Sequence, residues 1–198
     1  MPPVTQSLLI ANVLVFLLQT QTGEGLDVWF ALWPVGSGYF APWQLVTYGS
    51  LHGGFAHIFF NMLGLYMFGS DIERLFGSRY FLAYYFACLV SAALCQLLVV
   101  SLAGGPAYPT VGASGALYGL LLAFGMYFPR RMVMLIFPPI PMQARVFVIV
   151  FGALELLLGV FGMMGTGDSV AHFAHLGGML GGWLMIQYRR RGFPFRGR

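Results

Sequence analysis

Six long apolar segments make up most of the chain and limit its possible folds more than any other feature. They cover residues 4–22, 55–69, 80–102, 114–128, 146–162 and 170–188, and turn residues or arginines bound each of them. Only 8% of the 198 residues are charged, whereas a soluble domain has about 25%. A soluble fold of this length cannot cover so much apolar side chain. The sequence therefore predicts a single-domain, all-α membrane protein, built as a compact bundle of six transmembrane helices.

The second and fourth segments are short for a membrane span. A hydrocarbon core of about 30 Å needs roughly 20 helical residues. We expect these two helices to end below the membrane surface, where water must be admitted. The first apolar segment has no charged region before it, so it is interpreted as a span and not as a cleaved signal.

A long loop, residues 23–54, is predicted between the first two spans. It carries Trp29, Trp33 and Trp43 with almost no charge. Because aromatic rings favour the membrane–water interface, we expect this loop to lie in the outer interface.

The arginines predict the orientation of the bundle. All ten basic residues are arginine, and all ten follow the second, fourth or sixth span. The positive-inside rule then puts both termini in the cytoplasm. The basic tail, residues 189–198, is expected to contact anionic lipid headgroups, and the scattered charge does not indicate nucleic-acid binding. The six-span form without a targeting signal favours a prokaryotic plasma membrane, the inner membrane in bacteria.

Polar residues from three separate spans fall at one predicted depth. His52 and His57 stand at the outer start of the second span, and His172 and His175 stand in the outer third of the sixth. Ser114 begins the fourth span on that same outer side. This convergence predicts one extracytoplasmic site.

Ser114 lies in the segment 111-VGASGALYG-119, between Gly112 and Gly115. A serine in a membrane helix usually bonds to its own helix or to a neighbour. A helix N-terminus, however, offers free N–H groups to an oxyanion, and small neighbours let a peptide backbone approach. A serine nucleophile also needs a base, and His175 is the candidate because glycines let its helix pack closely. His57 and Asn61 share a helix face and can donate hydrogen bonds, to an oxyanion or merely to each other or a neighbouring backbone.

Four motifs together resemble the rhomboid family of intramembrane serine proteases. They are GASG around Ser114, HIFFN at 57–61, AHLGG at 174–178, and DIERLFGSRYF at 71–81. The resemblance covers essentially the whole chain, with six spans in the family's order. One departure is the first loop, which lacks the Trp-Arg pair of many bacterial members.

The resemblance implies a Ser–His dyad with Ser114 as nucleophile and His175 as general base and then acid. It implies an oxyanion hole from the Ser114 backbone N–H, His57 and Asn61. Tyr118 matches the family aromatic that stacks on the catalytic histidine, and Gly178 matches a close-packing glycine of the sixth span.

The expected activity is cleavage of peptide bonds in or next to transmembrane segments of other membrane proteins, through an acyl-enzyme. The expected partners are those substrates and the lipid bilayer. No metal or organic cofactor is expected, and the oligomeric state stays open.

Other roles remain open for several polar residues. His172 is an alternative base, although a packing or water-bonding role is favoured. Asp168, four residues before His172, would give a conventional triad. Glu155 is expected well below the outer cluster, in a protonated or hydrogen-bonded structural role. The histidine pair could hold a metal or haem, but no acidic residue or cysteine completes a convincing ligand set.

Two other functions are weighed against proteolysis. A rhomboid-like protein that binds helices without cutting them is disfavoured because Ser114 and His175 are both present. A transporter or channel predicts polar residues through the full membrane depth, whereas the polar cluster stops in the outer half apart from Glu155.

Overall fold

Helices form most of the regular structure in the computed structural model, which describes residues 1–23, 25–103, 108–134, 139–163 and 169–192. In chain order the helices are α1 (Pro3–Thr22), α2 (Gly25–Phe30), α3 (Gln44–Thr47), α4 (Phe55–Gly64), α5 (Ser70–Phe76), α6 (Ser78–Ala103), α7 (Ser114–Tyr127), α8 (Ala144–Met163) and α9 (Ser169–Arg190). A π-helical turn, Leu65–Gly69, joins α4 to α5 without a break.

Five of the predicted segments correspond to single helices. The ends of α1, α6, α7, α8 and α9 lie within about two residues of the predicted bounds. The second segment differs, because the helix runs on past Gly69 through α5. It ends at Phe76, where Gly77 adopts a φ of 79°.

A short hairpin is the only β-sheet in the described ranges. Strand β1 (Met132–Met134) pairs antiparallel with β2 (Pro141–Gln143) in the connection between α7 and α8. The sequence predicts only a loop here. Strands of three residues lack the length for a recognisable period-two pattern.

Three helices are long and apolar enough to cross a membrane, namely Pro3–Thr22, Ser78–Leu102 and Ala144–Phe161, and Ser114–Tyr127 is a shorter apolar helix. The burial pattern of α1 supports a lipid environment. Its buried residues are polar, Thr5, Asn12 and Gln19, whereas Leu14 and Leu18 are exposed. Apolar side chains outside and polar ones inside are the reverse of a soluble helix.

Small residues let α6, α7 and α9 pack at the centre of the fold. A Cβ added at Gly178 would overlap the Gly115 carbonyl, and one at Gly119 would overlap the Cys88 sulfur. The Tyr84 hydroxyl also donates to the Gly119 carbonyl oxygen at 2.7 Å. These contacts bring the backbone of α9 directly against that of α7, next to Ser114.

A buried glutamine links separate parts of the connection between α1 and α4. Gln44 Nε2 donates to the Tyr39 carbonyl oxygen at 2.9 Å, and its Oε1 accepts from the Trp33 N–H at 3.2 Å. Leu32 and Thr110 form a backbone bridge to the segment before α7. Trp29 and Trp43 are exposed on this connection.

Glu73 fastens α1 to α5 at the other end of the molecule. Its carboxylate accepts from the Val4 and Thr5 N–H groups at 3.0 and 2.7 Å, and from the Thr5 and Ser78 hydroxyls, both at 2.7 Å. Burial raises the pKa of the Glu73 carboxyl, but the hydrogen bonds from Ser78 and Thr5 outweigh it and hold that pKa below its usual value.

Candidate active site

Ser114 begins α7, two residues after a glycine in a backbone conformation that other residues rarely adopt. Gly112 has a φ of 122°, and its N–H donates to the Tyr48 carbonyl oxygen at 2.9 Å. A Cβ at Gly112 would lie 2.7 Å from His57 Nε2. The glycine therefore allows both the turn into α7 and the close approach of His57.

His175 of α9 contacts the serine directly. Its Nε2 lies 2.8 Å from Ser114 Oγ, a hydrogen-bond distance. The contact depends on the close packing of Gly178, about one turn after His175, against Gly115, the residue next to Ser114. The predicted nucleophile and base are thus 61 residues apart in sequence and adjacent in space.

Tyr118 lies against the His175 ring. The two rings stack with centroids 4.3 Å apart and an interplanar angle of 10°. The Tyr118 hydroxyl donates a short hydrogen bond to Glu155 Oε1. Tyr118 therefore limits the rotation of the imidazole with its ring and holds a carboxylate with its hydroxyl.

His57 presents one ring nitrogen to the site. The Gly53 N–H donates to His57 Nδ1 at 3.3 Å, so in the neutral ring the hydrogen belongs on Nε2. That Nε2 is the atom that faces Gly112, beside Ser114. Asn61 Nδ2 donates to the His57 carbonyl oxygen at 2.9 Å, and Asn61 is almost fully buried. His57 thus has a donor directed toward the serine, and Asn61 has one amide hydrogen beyond its bond to the helix.

His52 packs beside this group without contacting the serine. Its backbone N–H donates to Gln19 Oε1 at 2.9 Å, and its ring meets the His57 ring edge-on at 5.2 Å. Burial and the neighbouring His57 lower the pKa of His52 to about 4. Through these contacts His52 joins α1 to the start of α4.

The expected depth of Glu155 is wrong. The structure places its carboxylate among the site residues, with Oε2 at 2.6 Å from His172 Nδ1 and 3.0 Å from His175 Nδ1. The contact with His172 has hydrogen-bond geometry; that with His175 is at ion-pair distance, and its angle lies outside the hydrogen-bond range. The sequence feature that indicates a functional role for Glu155 is the presence of a carboxylate within an apolar helix.

Two alternatives remain from the sequence, namely His172 as the base and Asp168 as the third member of a conventional triad. His172 contacts Glu155, while His175 is the histidine at the serine. Asp168 lies outside the described residues.

Glu155, His172 and His175 form a possible metal-ligand set. Each offers one ligand atom, and the three atoms lie within 4.8 Å of one another. Two imidazoles and a carboxylate are ligands that zinc accepts. The expectation that no acidic residue joins the histidine pair is therefore wrong, although the carboxylate here already bridges both rings.

An apolar cavity of about 730 Å³ adjoins the serine. Ser114, His57, Asn61 and His175 line it together with aromatic side chains such as Phe68 and Phe151. The aromatic residues come from the π-helical turn and from α8. A chain segment in this cavity would meet polar groups at the serine and apolar walls elsewhere.

Comparison with known proteins identifies relatives of the chain. The Rhomboid domain family model matches residues 39–192. The chain is 31% identical over 144 residues to the rhomboid protease GluP of Bacillus subtilis (strain 168), covering 71% of this chain and 25% of GluP. It is 27% identical over 189 residues to the rhomboid protease GlpG of Photorhabdus laumondii subsp. laumondii, covering 96% of this chain and 62% of that protein. It is 28% identical over 193 residues to GlpG of Yersinia pestis (strain Pestoides F), covering 96% and 63%. The chain thus spans less than two thirds of the length of each of these relatives.

Proposed function

Because the chain belongs to the rhomboid family, we propose that it is an intramembrane serine endopeptidase that cleaves peptide bonds in or next to transmembrane segments of membrane proteins. The observation that carries the proposal is the 2.8 Å contact between His175 Nε2 and Ser114 Oγ at a helix N-terminus. A serine becomes a useful nucleophile when an adjacent base removes its proton.

The first half of the reaction forms an acyl-enzyme. Ser114 Oγ attacks the substrate carbonyl carbon while His175 Nε2 takes the hydroxyl proton. The negative oxygen of the tetrahedral intermediate accepts hydrogen bonds from the Ser114 N–H, His57 Nε2–H and Asn61 Nδ2–H. His175 then gives its proton to the leaving amine nitrogen as the carbon–nitrogen bond breaks.

The second half uses water in place of the amine. His175 removes a proton from a water molecule, whose oxygen attacks the ester carbonyl carbon. The same three donors stabilise the second oxyanion, and the proton returns from His175 to Ser114 Oγ as the ester bond breaks. Ser114 and His175 are regenerated, and the reaction consumes one water per peptide bond.

The substrate segment has to unwind before it is cut. In an intact helix the scissile carbonyl is bonded to the N–H four residues on and is shielded by side chains. Small or helix-breaking residues near the cleaved bond should therefore raise the rate. The apolar cavity beside Ser114 offers side chains of an unwound segment an environment similar to lipid.

The chain is proposed to be one domain over residues 1–198 with six spans and both termini in the cytoplasm. The arginine distribution supports this orientation, and the active site then faces the extracytoplasmic side of a plasma membrane. The predicted interfacial position of the first connection agrees with the exposure of Trp29 and Trp43.

The test is cleavage of a labelled transmembrane peptide in liposomes. Ser114→Ala and His175→Ala should each abolish cleavage. Ser101→Ala is the matched control, because Ser101 is exposed and its hydroxyl donates only within its own helix, to the Leu98 carbonyl oxygen at 2.8 Å. Cleavage that survives Ser114→Ala would refute the serine mechanism.

His172→Ala decides between the two histidines. Residual activity in His172→Ala, with none in His175→Ala, assigns the base to His175, and the reverse assigns it to His172. A wild type that cuts no peptide, even one with helix-breaking residues, would favour a helix-binding protein that does not cleave.

A further inference from the structure

We infer that Glu155 is a positioning residue for the catalytic histidine, so that Ser114, His175 and Glu155 work as a three-member relay in this chain. The inference rests on the proposed protease function. It departs from the two-member dyad that the family resemblance implies, and three independent features of the structure support it.

The first feature is the position of the carboxylate relative to the imidazole. When His175 Nε2 accepts the serine proton, the hydrogen of the neutral ring must already be on Nδ1. That Nδ1 lies 3.0 Å from Glu155 Oε2. A carboxylate at this distance favours the tautomer with Nδ1–H and stabilises the imidazolium that forms during attack. Catalytic hydrogen bonds are often poorly aligned before substrate binds and tighten during the reaction, and the 3.0 Å distance leaves this contact able to do so.

The second feature is the way in which the carboxylate is held. Glu155 is buried, its Oε1 accepts from the Tyr118 hydroxyl, and its Oε2 lies 2.6 Å from His172 Nδ1. Two other side chains therefore fix the carboxylate beside His175. Tyr118 also stacks on the His175 ring, so one side chain sets the positions of both members of the pair.

The third feature is a contrast with Glu73, the other glutamate that is buried among the described residues. Glu73 accepts hydrogen bonds from backbone N–H groups and hydroxyls that join α1 to α5, as a structural carboxylate does. The polar contacts of Glu155 described above go instead to Tyr118, His172 and His175. A residue needed only for packing would not require the catalytic histidine among its partners.

The experiment measures kcat and KM for peptide cleavage in liposomes with the wild type, Glu155→Gln and Glu73→Gln. The glutamine at 155 keeps the size of the side chain and removes its charge. We expect kcat to fall by about 10- to 100-fold with KM within about twofold of wild type, since the loss concerns proton transfer and not binding. Glu73→Gln should lower the melting temperature and leave kcat of the folded protein within about twofold.

A double-mutant cycle separates positioning from general structural support. Tyr118→Phe keeps the ring that stacks on His175 and removes the hydroxyl that holds Oε1. Its expected kcat is about three- to tenfold below wild type. If the hydroxyl acts through the carboxylate, the double variant Tyr118→Phe/Glu155→Gln should be no slower than Glu155→Gln alone.

An alkyl fluorophosphonate gives a second readout that needs no peptide. Ser114 Oγ forms a bond to phosphorus, fluoride leaves, and the serine proton goes to His175. Glu155→Gln should slow this labelling about as much as it slows cleavage. The labelling rate can be measured for any folded variant, including Tyr118→Phe, so the inference can be tested without a peptide substrate.

Three results would overturn the inference. The first is a Glu155→Gln variant whose kcat and labelling rate equal those of wild type. The second is a Glu73→Gln variant that loses as much kcat as Glu155→Gln. The third is a double variant Tyr118→Phe/Glu155→Gln whose loss of kcat is the product of the two single losses. A wild type that neither cleaves nor reacts with the fluorophosphonate would overturn the proposed function itself. A wild type that does both, beside an equally reactive Glu155→Gln, would overturn only the role of Glu155.

Discussion

Replacing Gly178 by alanine should push apart the two helices that carry the proposed nucleophile and base. The added Cβ would overlap the Gly115 carbonyl oxygen and carbonyl carbon, which are backbone atoms of α7 and have no rotamer to change. The Cβ would lie 1.8 Å from that oxygen, so the helices must separate by more than roughly 1.5 Å at this point to restore ordinary contact.

The expected size of the effect follows from two opposing terms. Alanine gains up to about 1 kcal/mol over glycine inside a helix, and a clash with backbone costs about 1–3 kcal/mol or more. The net change is a loss of about 2 kcal/mol, or about 4–8 °C in melting temperature for a chain of this size. The Ser114–His175 contact is 2.8 Å, so a displacement of about 1 Å breaks it and should lower kcat about 100-fold.

Gly152→Ala on α8 is the matched control. Its added Cβ would meet the tip of the flexible Met179 side chain at 3.3 Å, which can move aside. Thermal unfolding in detergent and peptide cleavage in liposomes are measured for both variants. If Gly178→Ala melts and cleaves like Gly152→Ala, the backbone packing at Gly115 does not hold the site together, and the reasoning fails.

Three further predictions follow from the geometry. The pKa of the Glu73 carboxyl is lowered in the folded chain, so the carboxylate stabilises the fold above the usual pKa of 4.5. This stabilisation is lost as the pH falls below that value. Melting curves between pH 3 and pH 7 should show the loss in wild type and not in Glu73→Gln. Gly112→Ala should lower kcat by about 100-fold or more, because its Cβ would meet His57 Nε2 at 2.7 Å and displace that donor; an unchanged kcat would exclude His57 from the oxyanion hole. Cleavage should continue in a chelator such as EDTA. Added Zn²⁺ should inhibit cleavage by binding to Glu155, His172 and His175. If His172→Ala leaves the inhibition unchanged, the zinc binds elsewhere.

Much of the helical architecture could be predicted because apolar run length is a local property of a sequence. The predicted segments and the observed helices agree closely, and the resemblance to rhomboid proteases is confirmed by the Rhomboid domain match. Periodicity alone could not choose between His172 and His175, because residues three apart share a helix face. The AHLGG motif made that choice, and the structure places His175 at Ser114.

Glu155 was missed because its predicted depth was too low: it lies seven residues from the outer end of span 146–162, close to the five residues by which His175 follows the outer end of span 170–188. The direction in which its carboxylate faces depends on tilt and rotation of the helix, which are set by packing against neighbours. Gly159 shows the local cause: its missing side chain lets the Phe173 ring approach, and a Cβ there would lie 3.0 Å from that ring. This contact between α8 and α9 brings Glu155 level with His172. Only the tertiary structure contains that information.

The π-helical turn at Leu65–Gly69 determines how the two halves of one long helix are rotated relative to each other about the helix axis. The half before it carries His57 and Asn61, and the half after it carries Glu73. A π turn behaves as a single inserted residue in an α-helix, which turns everything beyond it by about 100°. Deleting one residue from this turn would restore an unbroken ladder of backbone hydrogen bonds. It would also turn Glu73 away from α1 or His57 away from Ser114. A one-residue change in length here would therefore alter either the anchorage of the helix or the proposed chemistry.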